Sequence, residues 1–137
     1  MNASLAMSKY KQVHVQSSVM DATPHRLIQM LMEGALEKIA LAKGNITRKE
    51  IAQKGENIGK ALTIIGGLQG SLNIDAGGAL AENLNGLYDY MTRRLVMANI
   101  QSDEAILDEV AKLMLEVKTA WDAIPDILNG KSPQAAT

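Results

Sequence analysis

The stretch from Gly77 to Asn99, GGALAENLNGLYDYMTRRLVMAN, constrains the fold more than any other part of the chain. Its apolar residues recur every three or four positions, which is the spacing of one face of an α-helix. This stripe consists of Leu80, Leu84, Leu87, Met91 and Leu95. Tyr88 adjoins the stripe and widens it, and Arg93 and Arg94 follow. A helix of this kind can pack into a bundle and still bind a partner.

Two further helices are predicted before this stretch. The first begins near Pro24, because Thr23 is a good N-cap and proline fits the first helical position. It ends at Gly44-Asn45, two residues that tolerate a left-handed backbone. The second opens with Thr47-Arg48-Lys49-Glu50, the pattern of a capping box, and stops at the segment that begins with Asn73.

The second helix combines two apolar stripes with an unusual number of glycines. The core stripe and the stripe beside it are Ile51, Ile58, Leu62, Ile65 and Leu72, and then Ala61, Ile64 and Leu68. Each glycine costs roughly 1 kcal/mol relative to alanine inside a helix. So many glycines predict either a close approach of a neighbouring backbone or a weakened C-terminal half. They are Gly55, Gly59, Gly66, Gly67 and Gly70.

A fourth helix starts around Ser102-Asp103, where acidic side chains favour the positive end of the helix, and Pro125 kinks or ends it. Short connections between four helices imply antiparallel neighbours. The expected fold is therefore all-α, an antiparallel four-helix bundle over residues 21–130. An irregular N-terminal arm of residues 1–20 precedes the bundle, and residues 131–137 form a flexible tail.

Length, charge and composition exclude several classes of protein. A chain of 137 residues suits one domain with a substantial core. Cysteine is absent, which suits a reducing cytoplasm. The net charge of −1 gives no electrostatic case for nucleic acid or an anionic membrane surface. The N-terminus lacks the features of a secretory signal, and no apolar run is long enough to span a bilayer.

No pattern of catalytic or metal-binding residues is recognisable. His14 and His25 lie outside any ligand spacing, and no Glu-x-x-His occurs. Ser17 and Ser18 have no nucleophile motif around them, and the glycine pairs lack the lysine and hydroxyl of a phosphate loop. We therefore predict a protein that is not an enzyme and that holds no cofactor or metal.

The apolar residues left over after one core stripe per helix predict a binding surface. The surplus is Ala61, Ile64 and Leu68 on the second helix, with Tyr88 and Val96 on the third. Antiparallel packing would place these sets side by side as an apolar groove, which is a known receptor for an amphipathic helix. The alternative is that the N-terminal arm or a second copy of the chain covers the groove. The residues alone favour neither an open groove nor a covered one.

Three sequence blocks resemble the flagellin export chaperone family, FliS. The first is ATPHRLIQMLMEGALEKI, from Ala22 to Ile39, and the second is KALTIIGGLQGSL within residues 55–72. The third is the stretch from Gly77 to Asn99, whose GG, NL, LYDYM, RRL and AN elements match at the family's spacing. A leucine-rich last helix that ends in Ala-Trp extends the similarity.

The resemblance implies a cytoplasmic four-helix bundle that binds the disordered C-terminal segment of newly made flagellin. Binding would prevent premature polymerisation and keep flagellin competent for flagellar type III export. A segment that folds as it binds pays for its ordering, so its affinity needs a long apolar contact. The family also implies a role for Tyr10 of the arm in cargo binding or in covering the groove. Other implied partners are the flagellar export apparatus and an anti-sigma factor.

The candidate flagellin-binding residues combine an apolar wall with polar anchors. The wall consists of Ile64, Leu68, Leu72, Leu84, Tyr88, Met91 and Leu95. The polar anchors are Asn83, Arg93 and Arg94, and a solvated helix face is the alternative for the two arginines. Two rival functions are a regulator of flagellar gene expression that sequesters an anti-sigma factor and a structural helical homo-oligomer. The chain itself is expected to be a monomer or a homodimer.

Overall fold

The computed structural model describes residues 22–124, which form four α-helices and no strand. The helices are α1 (Pro24–Thr47), α2 (Ile51–Gly70), α3 (Ile74–Gln101) and α4 (Glu104–Ala123). The prediction of an all-α fold with four helices is confirmed for this range. The predicted arm of residues 1–20 and the tail of residues 131–137 lie outside the described residues.

One apolar core is shared by all four helices. α1 packs on α2 and α4, and α3 packs on the same two helices, so the four form a closed helical bundle. Each helix therefore buries its apolar face only because two neighbours complete the core. The largest fully buried side chains are Leu31, Met32, Ile39, Ile58, Ile64, Ile65, Leu68, Met91, Leu95, Leu107 and Met114.

The capping residues predicted for α1 and α4 are confirmed. The Thr23 hydroxyl accepts a hydrogen bond from the backbone N–H of Arg26, 3.1 Å away. A carboxylate oxygen of Asp103 accepts from two backbone N–H groups in the first turn of α4. α4 ends at Ala123, as expected for a helix followed by Pro125. These ends were predictable because each cap depends only on residues within one turn.

The predicted end of α1 at Gly44-Asn45 is wrong. The helix continues to Thr47, and Asn45 is buried inside it. The Asn45 amide donates to the Glu50 carboxylate at 2.8 Å and accepts from the Asn57 amide at 2.7 Å. Both polar atoms of the buried amide are therefore hydrogen-bonded while Asn45 keeps a helical backbone, and the helix does not end there.

The predicted capping box at Thr47–Glu50 is also wrong. Thr47 is the last residue of α1, and its hydroxyl lies 3.2 Å from a carboxylate oxygen of Glu104 in α4. α2 begins after Glu50, which makes no side-chain cap. At its far end α2 stops at Gly70, and the Asn73 side chain caps α3 instead. Contacts between helices thus override a local pattern.

Two residues assigned to core stripes are exposed. Ile51 is 62% exposed and Leu80 is 65% exposed. Ile51 is the first residue of α2, at the edge of the bundle, where its neighbours do not cover it. Leu80 lies near the start of α3, beside an opening in the bundle that is described below.

Three of the five glycines of α2 do not mark a close approach within the described chain. A Cβ atom added at Gly55, Gly59 or Gly66 would meet no atom within 4 Å. Packing against a neighbouring backbone is therefore excluded as their cause within residues 22–124. At these three positions glycine only weakens the helix, because it loses more backbone entropy on folding than alanine does.

Replacing Gly59 with alanine should stabilise the protein. The added methyl group meets open space, and the gain in helix propensity is about 1 kcal/mol, which should raise Tm by roughly 3–6 °C in scanning calorimetry. Gly78→Ala is the matched control: Gly78 has φ of 57°, so alanine there is strained and should lower Tm. A Gly59→Ala protein with an unchanged or lower Tm would contradict this account of α2.

Candidate functional site

An apolar groove of about 830 Å³ opens at one end of the bundle. It lies where α1 and α3 begin and where α2 and α4 end, so all four helices contribute to its wall. The lining is mostly aliphatic and aromatic. Its larger side chains on α1 and α2 are Ile28, Met32 and Leu68. α3 supplies Leu80, Leu84, Leu87 and Tyr88, and Leu72 lies just before this helix. α4 supplies Leu113, Val117 and Trp121, and Ile124 follows it directly.

A break in α3 accompanies the open mouth of the groove. Gly78 has φ of 57° and ψ of −135°, a backbone conformation that glycine adopts at little cost. The break separates the first turn of α3 from the rest of the helix. Residues 73–80 are all exposed, so this turn borders the groove without being packed into the bundle. Leu80 is left as an exposed apolar side chain on the rim.

The floor of the groove is also part of the core. Leu68 and Tyr88 line the groove, although both are almost fully buried by the bundle. Burial raises the pKa of the Tyr88 phenol to about 12, because the charged form loses its hydration. These side chains therefore contact core residues on one side and the groove on the other, and their positions are fixed before any ligand enters.

A reciprocal contact between His25 and Trp121 fastens the start of α1 to the end of α4. The Trp121 indole N–H donates to the His25 carbonyl at 3.0 Å, and His25 Nε2 lies 2.9 Å from the Trp121 carbonyl oxygen. Because a carbonyl can only accept, Nε2 carries the proton in this contact. The two rings stack with centroids 4.9 Å apart. This His25–Trp121 clasp fixes one wall of the groove, since Trp121 lines it.

The residues predicted for the apolar wall divide between the groove and the core. Those that line the groove are Leu68, Leu72, Leu84 and Tyr88. Those that have no exposed surface and lie in the core, outside the groove lining, are Ile64, Met91 and Leu95. These core residues stand on the same faces of α2 and α3, but further from the open end, where four helices surround them.

Of the five apolar residues predicted as surplus on α2 and α3, Leu68 and Tyr88 line the groove and the other three do not. Ala61 and Ile64 are fully buried, because α2 packs on both α1 and α3 and needs a wide apolar face to do so. Val96 is exposed but lies outside the groove lining. Ala61 and Ile64 are thus used by the core, and residues of α1 and α4 complete the groove together with Leu68 and Tyr88.

The predicted polar anchors lie outside the groove lining. Asn83 and Arg93 are exposed on α3. Arg94 donates to Glu109 of α4 at 2.8 Å, and the Tyr90 hydroxyl donates to the same carboxylate. The bonds from Tyr90 and Arg94 hold the pKa of Glu109 below its usual value, and the bond to Glu109 raises the pKa of Tyr90. Arg94 is therefore engaged in joining α3 to α4.

The contribution of α1 and α4 was not predicted. Ile28, Val117 and Trp121 belong to apolar stripes that are recognisable in the sequence, yet their meeting at an open end depends on how the first and last helices align. That alignment is a long-range property. The available signal was the second apolar line on α4, Leu107, Met114 and Trp121, which is more than one core stripe requires.

Neither a metal site nor a membrane span accompanies the groove in residues 22–124. Within this range no group of three or more His, Asp or Glu side chains is placed to hold a metal ion. None of the four helices is long and apolar enough to cross a bilayer. Tyr10, the candidate residue of the arm, lies outside the described part of the chain.

Comparison with known proteins finds one family along most of the chain. The family described as flagellar protein FliS matches residues 6–127. The flagellar secretion chaperone FliSB of Pseudomonas aeruginosa is 53% identical over 124 residues, which cover 90% of this chain and 98% of that protein. The flagellar secretion chaperones FliS of Vibrio cholerae and of Salmonella typhimurium are each 42% identical. These two alignments cover 88% and 84% of this chain, and 88% and 86% of the relatives.

Replacing Trp121 with phenylalanine should weaken the His25–Trp121 clasp. Phenylalanine retains a ring that can stack on His25 but removes the N–H that donates to the His25 carbonyl. The free energy of unfolding in urea should fall by about 1 kcal/mol. His25→Ala, which removes both the stack and the second hydrogen bond, should cost more. Equal stability of both variants and the wild type would show that the clasp contributes nothing.

Ionisation of the Tyr88 phenol should lower the free energy of unfolding at alkaline pH. Its folded pKa of about 12 lies above the unfolded value of about 10. The contribution of the neutral phenol to the free energy of unfolding is therefore complete below pH 10 and is lost as pH rises through 12. Between these values the wild type should lose stability relative to Tyr88→Phe in urea unfolding. Ultraviolet titration should show a late tyrosine that the variant lacks. Ionisation of every native tyrosine near pH 10 would contradict the prediction.

Proposed function

The chain belongs to the FliS family of flagellar proteins, and from this premise we propose that it is a flagellar export chaperone for flagellin. Its cargo is the disordered C-terminal segment of flagellin. Holding that segment prevents premature polymerisation and keeps flagellin competent for type III export. The observation that carries the proposal is the open apolar groove at one end of the bundle, together with the names of the relatives.

The groove has the chemistry of a receptor for an amphipathic helix. Its volume of about 830 Å³ is that of a sizeable ligand site, and its wall is aliphatic and aromatic. The helix-in-groove mode of recognition places apolar side chains, spaced three and four residues apart, into such a surface. We assign the contacts with cargo to Leu68, Leu72, Leu84 and Tyr88, whereas Ile64, Met91 and Leu95 support the wall from the core.

We infer that the helices alternate in direction, as in an antiparallel bundle. Lys43 of α1 pairs with Asp108 of α4 at 2.8 Å, and Glu33, earlier in α1, lies beside Lys118, later in α4. This order supports opposite directions for the first and last helices. The chain before α1 joins it at Pro24, which lines the groove. We therefore propose that the arm of residues 1–20, with Tyr10, covers the groove when cargo is absent.

The remaining assignments extend the same proposal. Asn83 and Arg93 are exposed on α3, and we propose that they meet polar groups of a cargo that continues beyond the groove. Function is binding without catalysis, in the cytoplasm where flagellin is made. The export apparatus is the second proposed partner. An anti-sigma factor would be a competing ligand of the same groove.

Calorimetry with a synthetic peptide tests the proposal. The peptide is the C-terminal segment of the flagellin encoded in the same genome, and the full chain should bind it with a Kd below about 1 μM and a negative heat-capacity change. Leu80→Ser should weaken binding by about tenfold or more, because burying one leucine is worth about 1.5–3 kcal/mol. Leu80 is exposed in the free protein, so its loss leaves the core intact.

Leu115→Ser is the matched control. Leu115 is also an exposed leucine, at 54%, and it lies on α4 outside the groove, so the variant should bind the peptide like the wild type. Failure of the wild type to bind the peptide would overturn the chaperone proposal. A stable dimer that buries the groove, seen by ultracentrifugation, would instead support the structural homo-oligomer.

A further inference from the structure

Glu116 of α4 is the one charged side chain among the described residues that line the groove. We propose that Glu116 selects a groove ligand that carries a lysine or arginine beside its apolar face, at the rim between α3 and α4. The inference rests on the proposed function, because it names the chemistry of the peptide that the groove accepts. It adds a specificity residue to a wall that is otherwise selective only for apolar character.

Two polar side chains that share the groove with Glu116 already make hydrogen bonds within the protein. The Ser71 hydroxyl donates to the Leu68 carbonyl at 2.7 Å, and the Asn73 side chain accepts from a backbone N–H of α3 at 3.1 Å. Glu116 has neither an ion pair nor a hydrogen bond to another described residue. Its carboxylate is exposed, so water solvates it while the groove is open. It is thus the charged group of the described lining that is available to a ligand.

A second glutamate on the same face of α4, Glu109, has the partners on α3 that Glu116 lacks. Glu109 lies seven residues earlier, which is two helical turns, and accepts hydrogen bonds from Tyr90 and Arg94 of α3. With α3 and α4 running in opposite directions, the same register places Glu116 beside residues 83–87. That part of α3 supplies Leu84 and Leu87 to the groove and no cation. A basic side chain of the ligand therefore pairs with Glu116 as Arg94 pairs with Glu109.

Covering the groove changes the energetics of this carboxylate. A solvated surface ion pair is worth little, because water screens both charges. An apolar helix laid along the groove removes part of that water, after which a carboxylate without a partner is costly and one with a cation is stabilised. An acidic side chain at the same position is repelled. The groove thus accepts apolar helices with a basic residue at this rim and disfavours acidic ones.

A charge-exchange experiment tests the role of Glu116. The full chain is titrated with the flagellin C-terminal peptide, in which each lysine and arginine is changed to glutamate in turn. One such change should weaken binding to the wild type by roughly three- to tenfold, and Glu116→Lys should restore the affinity of that peptide alone. Glu116→Lys should weaken the unmodified peptide by a similar factor. Glutamate, glutamine and lysine have similar helix propensities, so α4 should remain folded.

Glu82→Lys is the matched control. Glu82 is exposed on α3, lies outside the groove lining and has no ion pair with another described residue, so the variant makes the same change in net charge elsewhere. It should leave every peptide affinity unchanged. Equal binding of all peptides by the wild type and Glu116→Lys would overturn the inference and leave the chaperone proposal intact. Tight binding of a flagellin segment that has no basic residue would have the same two consequences. Absence of binding by the wild type would overturn both.

Discussion

The sharing of one core by four helices is the constraint on which the rest of this structure depends. No single helix can bury its apolar stripe, so each stripe is stable only where two neighbours flank it. Away from the groove the ring is closed, and Ile64, Met91 and Leu95 are fully buried. At the other end the same stripes continue through Leu84 and Leu80, but the first turn of α3 borders the opening instead of closing it. The groove is therefore the unclosed end of the core.

This origin explains why the groove can be both apolar and well ordered. An apolar cleft left open to water costs free energy, and its side chains would tend to collapse together. Here Leu68 and Tyr88 are held by core contacts behind them, and the His25–Trp121 clasp holds the ends of α1 and α4. A ligand that fills the groove removes apolar surface from water without first ordering the wall. Such a ligand also stabilises the folded state by mass action.

The sequence predicts the parts of this structure that depend on neighbouring residues. Thr23 and Asp103 cap their helices as expected, because a cap needs only the following turn. The capping box at Thr47 fails because its hydroxyl contacts Glu104, which is distant in the chain. The contribution of α1 and α4 to the groove was not predicted for the same reason. Helical spacing identifies apolar stripes, but only packing decides whether Ile64 faces a neighbour or a cleft.

A consequence follows for how binding can vary among chains with this architecture. A wall residue such as Tyr88 serves the core and the groove together, so a substitution that alters recognition also alters stability. Leu80 and Glu116 differ, because both are exposed on the rim and the folded bundle gains little from either. Under the proposed function, affinity for an apolar helix would therefore depend on residues that the core also needs. Discrimination between such helices would fall to the few rim positions that can change without cost to the fold.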